Sequence, residues 1–233
     1  MAVENVYGDE NFKRMKKLLK KRLPEKRYEH SKRVATTAEE MALIYGVDEG
    51  KARMAGLLHD WDKGLSLDEQ RARVDEFGLD IDPLIITDMP YLLHGPTAAA
   101  ALGAEYPELD RDVLQAIARH TSGARNMTPL DMIVYTADLI EPGRDYKRVK
   151  SIRKALGKVS LQEIYFLAFK NIYEFLIGQN RMMHPQTAQV WNHLVYQMQT
   201  NSTNRAEAAF QAGSQLEAQP TDWIAAERAM PED

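Results

Sequence analysis

The stretch Leu57-Leu58-His59-Asp60-Trp61-Asp62-Lys63-Gly64 brings an imidazole, a carboxylate and an ammonium together at the end of an apolar run. His59 and Lys63 are four residues apart, and Asp60 and Lys63 three apart. Read as a helix, those spacings predict neighbouring positions on one face. The imidazole and carboxylate can ligate a divalent metal, and the lysine offers a point charge for phosphate. Further residues of the same chemistry follow the same logic: His30, His94, His120 and Asp138. His30 falls in line with Val34, Ala38, Met41 and Tyr45, and His120 with Val113 and Ile117. Asp138 is a carboxylate inside the apolar run Met132-Ile133-Val134-Tyr135-Thr136-Ala137-Asp138-Leu139-Ile140. An ionised carboxylate buried there requires a cation or strong donors. Taken singly they are weak signals: a lone His on an apolar stripe is more often a satisfied core residue than a ligand, and Asp138 reads also as a structural salt bridge. As an ordered set, each from a different helix or helix end, they point to one metal centre. Mixed nitrogen and oxygen ligands suit iron, manganese or zinc better than magnesium or calcium alone. Such a metal lowers the pKa of a bound water toward neutrality and polarises a phosphoryl oxygen.

Composition narrows the function classes. The 233 residues are 44% hydrophobic and 27% charged, an ordinary globular balance. A net charge of -4 argues against bulk nucleic-acid binding. The chain has no cysteine, which excludes disulfides, zinc fingers and a thiolate nucleophile. No apolar run approaches the roughly 20 residues needed to span a bilayer. Met1 to Gly8 lacks the apolar core of a secretory signal. The expectation is a cytoplasmic protein without membrane or nucleic-acid partners.

The elements that must position these groups read as helices throughout, with no alternating strand pattern. A first helix spans about Asp9 to Leu23, ended by Pro24, with Lys13, Lys16, Lys17, Lys20 and Lys21 on its outer faces. A second runs from Glu25 to Tyr45 and stops at Gly46. Asp48 caps a third that carries Ala52, Ala55, Leu58 and His59 inward and ends near Gly64. Ser66 and Glu69 form a capping box for a helix to Phe77. Gly78 to Pro90 reads as irregular, and Pro96 places His94 at a loop or helix entrance. Asp110 caps the helix of His120, and Thr128-Pro129 opens the helix of Asp138. Glu141-Pro142-Gly143-Arg144 breaks that helix, and a basic segment with Lys147, Arg148, Lys150, Arg153 and Lys154 follows. Ser160 opens a long helix to Leu176, and a last one runs from near His184 to Met198. The fold expected is all-α: one helical bundle over 9–198 and a mobile or weakly helical tail over 199–233.

The order His, His-Asp, His, His, Asp on an all-helical chain resembles the HD-domain metal-dependent phosphohydrolases. The motifs Arg27-Tyr28-Glu29-His30-Ser31, Leu93-His94-Gly95-Pro96, Ile117-Ala118-Arg119-His120-Thr121 and Ala137-Asp138-Leu139-Ile140-Glu141-Pro142-Gly143-Arg144 are similar to those of the YqeK-type symmetrical bis(5'-nucleosyl)-tetraphosphatases. The resemblance covers about Phe12 to Met198. It implies hydrolysis of diadenosine tetraphosphate to ADP, with one or two ions and iron as the metal. It implies a metal held by His30, His59, Asp60 and Asp138, with Asp60 and Lys63 carrying the catalytic roles. His94 and His120 would contact the substrate or hold a second metal. Arg27, Lys63, Arg144 and Arg181 would bind substrate phosphate. A homodimer is compatible with this reading. Two alternatives stay open: another HD-type phosphohydrolase of a nucleoside phosphate or cyclic nucleotide, and a non-catalytic nucleotide-binding module.

Overall fold

The computed structural model describes residues 5–145 and 148–211, with side chains described through 201. Among them are eleven α-helices and no strand, so the fold is all-α. In chain order these are α1 (Asp9–Arg22), α2 (Glu25–Tyr45), α3 (Glu49–Leu58), α4 (Leu67–Glu76), α5 (Pro83–Asp88), α6 (His94–Glu105), α7 (Arg111–Arg119), α8 (Pro129–Ile140), α9 (Val149–Ala155), α10 (Leu161–Gly178) and α11 (Thr187–Gln211). A 3-10 turn covers Pro90–Leu92. No helix among the described residues is long and apolar enough to cross a membrane. Packing divides the chain after Thr187, and α11 dominates the described part of the second unit. That helix passes through Gln199 without a break, so the backbone does not change character where the polar composition begins. Residues 212–233 of the expected tail lie outside the described residues.

The boundaries follow side-chain chemistry. Ser66, Thr128 and Ser160 each accept from the backbone N–H three residues on, and Glu69, Asp131 and Glu163 reach back to complete the capping boxes. Gly46 ends α2 in the left-handed region at φ 70°. Asp110 caps α7 in position only; its side chain pairs with Lys51 instead. α6 opens at His94, the helix entrance that is one of the two sequence alternatives, and Pro96 is its third residue. It is tolerated because the first-turn N–H groups have no partner inside a helix.

The site is positioned by the packing of α2, α3, α6, α7 and α8. Small residues at the contacts, Ala35, Ala38, Ala52, Ala55, Ala116 and Ala137, are all fully buried and let backbones approach closely. Around them Val34, Met41, Leu58, Val113, Ile117, Ile133 and Val134 supply the bulk of the core. α4, α5 and the 3-10 turn form a smaller cluster through Val74, Ile85, Met89 and Leu93, which fixes the entry to α6.

α1 closes on this frame at its C-terminal end. A methyl group at Gly64 would lie 2.6 Å from the Arg22 carbonyl oxygen, a backbone atom that cannot step aside cheaply. Gly64→Ala is therefore expected to destabilise the fold by about 2 kcal/mol. Thermal denaturation should show a melting temperature lower by about 4–8 °C. An unchanged melting temperature would mean that the α1 end is free to move.

Candidate metal centre

The helix that carries the His-Asp pair is shorter than the sequence predicts. α3 ends at Leu58, and His59 to Gly64 form successive turns closed by Trp61 N–H to Leu58 O, Lys63 N–H to Asp60 O and Leu65 N–H to Asp62 O. The cause is the His59 ring. Its Nδ1 lies 2.8 Å from the Gly56 carbonyl, the acceptor that the Asp60 N–H would use if the helix continued. His59, Asp60 and Lys63 thus share a turn rather than a helix face.

Two more histidines are held the same way. His120 Nδ1 lies 2.7 Å from Ile117 O at the end of α7, and His94 Nδ1 lies 2.8 Å from Tyr91 O at the start of α6. A carbonyl can only accept, so each Nδ1 carries the proton. Each Nε2 is left as a free lone pair facing inward. His30 is oriented differently: its Nδ1 meets Glu141 Oε1 at 3.1 Å, and its Nε2 lies 3.0 Å from Asp138 Oδ1.

All these groups converge on Asp60. Its Oδ2 faces His59 Nε2 at 3.7 Å, His30 Nε2 at 4.0 Å and Arg27 Nη1 at 3.3 Å. Its Oδ1 faces His94 Nε2 at 3.3 Å and His120 Nε2 at 3.9 Å. His59 Nε2 is also 3.9 Å from Asp138 Oδ1. His94 Nε2 and His120 Nε2 are 3.0 Å apart, with Thr121 Oγ1 3.0 Å from the latter. Two overlapping groups have metal-ligand geometry: His30, His59 and Asp138, and His59, Asp60 and His120.

The residues fit a metal by a direct test. His59 is wholly buried, and its Nε2 has no hydrogen-bond partner. An orphaned buried acceptor costs about 1–3 kcal/mol, which a cation on its lone pair would relieve. Burial, the largest influence on the His59 ring, pushes its pKa down and keeps it neutral. Burial, with the His59 and His94 rings packed beside it, pushes His120 down to about 3. Burial alone would raise both carboxyls. The imidazoles that face them, His59 and His94 for Asp60 and His30 for Asp138, reverse this. Both acids are held well below the usual range, ionised as ligation requires.

The expected phosphate-binding cations divide. Arg27 pairs with Asp60 at 3.3 Å. Arg144 pairs with Asp138 Oδ1 at 2.7 Å and reaches within 3.4 Å of His30 Nε2. Lys63 Nζ lies 3.1 Å from His94 Nδ1 and 3.4 Å from Tyr91 O, and burial pushes its pKa down. Arg181 is exposed beyond α10, and no hydrogen bond or ion pair joins its side chain to this cluster. Its place in the expected set came from the resemblance.

Two supporting residues were not singled out. Glu141 is 1% exposed and takes His30 Nδ1–H, Arg33 Nε–H at 2.5 Å and Gly143 N–H at 2.6 Å. It aims His30 and fixes its tautomer. Its signal was the three-residue step from Asp138, as Arg33 is three from His30. Asp62, wholly buried, accepts from Arg22 at 2.9 Å and Arg73 at 2.6 Å and anchors the turn of Asp60.

Comparison with known proteins decides the family. Residues 27–143, from Arg27 through Asp138 to Gly143, match the HD domain family. The chain belongs to the HD domain family. It is 37% identical over 187 residues to the symmetrical bis(5'-nucleosyl)-tetraphosphatase of Staphylococcus aureus, covering 80% of this chain and 95% of that one. To the protein of the same name from Halalkalibacterium halodurans it is 36% identical, covering 76% and 94%. A crystal structure described as a predicted HD superfamily hydrolase involved in NAD metabolism, from Clostridium acetobutylicum, superposes with a TM-score of 0.74 at 36% identity. That match covers 80% of this chain and 97% of the other. HD domain proteins are metal-dependent, in keeping with the His and Asp groups gathered here.

Proposed function

We infer that this HD domain protein is a metal-dependent hydrolase that cleaves diadenosine tetraphosphate symmetrically into two ADP. The relatives of that activity span most of both chains. The observation that carries the reading here is the convergence of His30, His59, His94, His120 and Arg27 on one Asp60 carboxylate. His30, His59, Asp60 and Asp138 would hold the metal. When bound, the metal supplies an activated water and polarises a phosphoryl oxygen. Iron is the ion we propose, and the nitrogen and oxygen donors accommodate manganese or zinc equally. His94 and His120 suit a second ion better than a substrate contact, because their inward lone pairs lie 3.0 Å apart with no hydrogen of their own between them. A metal stoichiometry of two per chain is expected; a value of one would return both rings to the substrate.

The remaining roles belong to the cations. Lys63, Arg27 and Arg144 border the centre and would neutralise charge on the polyphosphate as it is cut. Water oxygen adds to the second phosphorus from one nucleoside. The bond from that phosphorus to the central bridging oxygen breaks, and the second ADP leaves on that oxygen. The second-phosphorus register rests on the relatives. We place the reaction in the cytoplasm, the compartment of its nucleotide substrate.

A substrate panel tests the assignment against the other HD chemistries. Diadenosine tetraphosphate should be turned over at least tenfold faster than nucleoside monophosphates, triphosphates or cyclic nucleotides. Preference for any of those would favour the alternative phosphohydrolase, and no turnover with metal bound would favour a binding module. Lys63→Ala should lower turnover by about 30–150-fold, since one positioned donor is worth about 2–3 kcal/mol, while bound metal is retained. Loss of metal in that variant would show that Lys63 organises ligands and not phosphate.

A further inference from the structure

The basic segment after Asp138 contains an arginine whose contacts set it apart from its neighbours. Arg153, on α9, donates from Nε to Ile140 O at 2.7 Å and from Nη2 to Glu141 O at 2.5 Å and Arg144 O at 2.8 Å. The first two acceptors are carbonyls at the end of α8, which a cation commonly satisfies. The third lies beyond the helix, on Arg144 itself. The backbone is folded there as a turn, with Arg144 N–H donating to Glu141 O at 2.9 Å. α9 is in turn held by Val149 and Ile152, which are 0% and 3% exposed.

We propose that Arg153 is the positioning residue that holds the Glu141–Arg144 turn, and with it the Arg144 guanidinium, at the mouth of the metal centre. The turn is pinned from two sides. Inside, the Glu141 carboxylate takes Arg33, His30 and the Gly143 N–H. Outside, Arg153 ties the carbonyls at both ends of the same four residues. The inner tie serves the His30 ligand. The outer tie serves Arg144, whose Nε and Nη2 reach the Asp138 carbonyl at 3.1 Å and carboxylate at 2.7 Å. With Arg153 removed, the inner tie still aims His30, but Arg144 loses the restraint on its own carbonyl. Metal ligation should then survive while the grip on substrate phosphate weakens. A lysine cannot replace it, because three acceptors in an arc need the planar guanidinium fork.

The proposal rests on the reading of Arg144 as a phosphate contact in diadenosine tetraphosphate hydrolysis. The test compares wild type, Arg153→Met, Arg144→Ala and the double variant for kcat, KM and bound metal. Arg153→Met keeps the apolar stem and should raise KM about tenfold, lower kcat less than threefold and leave metal content unchanged. In the Arg144→Ala background the same change should alter KM less than twofold, because the contact it supports is already gone. An equal effect in both backgrounds, or a wild-type KM in Arg153→Met, would overturn the proposal. Should Arg153→Met not fold, Arg153→Lys retains stem and charge; a KM raised at least threefold is expected, and a wild-type KM overturns the idea. A wild type without turnover would reject the functional reading itself, a result distinct from any of these.

Discussion

Asp60→Ala should abolish turnover, by at least about a thousandfold, and strip the protein of bound metal. Metal-assisted charge stabilisation at a phosphoryl centre contributes several kcal/mol, and each 1.36 kcal/mol is a factor of ten in rate. No other side chain in the centre faces so many partners. Its Oδ2 looks toward His30, His59 and Arg27, and its Oδ1 toward His94 and His120. Removing it separates the two halves of the centre and leaves Arg27 without its counter-charge. Asp60→Asn keeps the shape and loses the charge, so it should retain the fold and fail in the same way. Elemental analysis beside initial rates reads both effects. Full metal content with full activity in either variant would mean that the ligand set is misread and that Asp60 neither holds the metal nor takes part in the chemistry.

The largest expected loss of stability comes from the neighbouring carboxylate. Asp62→Ala removes a wholly buried acceptor and leaves Arg22 and Arg73 with no shared anion. Breaking a buried pair from one side costs about 3–5 kcal/mol. Both arginine side chains remain about a quarter exposed, at 25% and 22%, so water recovers part of that cost and about 2–3 kcal/mol is the expected loss. For a chain of this size that lowers the melting temperature by about 5–10 °C. Activity should fall as well. Arg22 also donates to Trp61 O at 2.7 Å and lies over the Trp61 ring at 4.7 Å, so the turn that presents Asp60 and Lys63 loosens. A melting temperature within 2 °C of wild type would show that the two arginines find other partners at no cost.

Much of this arrangement is legible in the sequence because the ligands break a pattern. His30, His120 and Asp138 each interrupt an apolar face, and a polar group there requires a partner. Ser66, Thr128 and Ser160 announce their helices through local capping chemistry that needs no tertiary information. The illegible parts depend on competition or on distance. α3 stops at Leu58 because a side chain takes the carbonyl that the helix would have used, and helical periodicity is blind to that. α5 and α9 have only 6 and 7 residues, too short for a periodic stripe to declare itself. Glu141 looks like the start of a loop until the fold brings Arg33 and His30 onto it from α2. Arg181 shows the opposite case: the resemblance implied a phosphate contact, and the exposed side chain has no hydrogen bond or ion pair to the centre among the described residues.

Hydrolysis of diadenosine tetraphosphate in oxygen-18 water, read by mass spectrometry of the products, tests the central claim most directly. A symmetric cut at the second phosphorus predicts ADP alone, with half of the ADP molecules carrying one heavy oxygen on the terminal phosphate. Heavy oxygen in AMP, from attack at the outer phosphorus, or in ATP, from attack at the second phosphorus with AMP leaving, would contradict the account, because either shows the outer bridge cut instead of the central one.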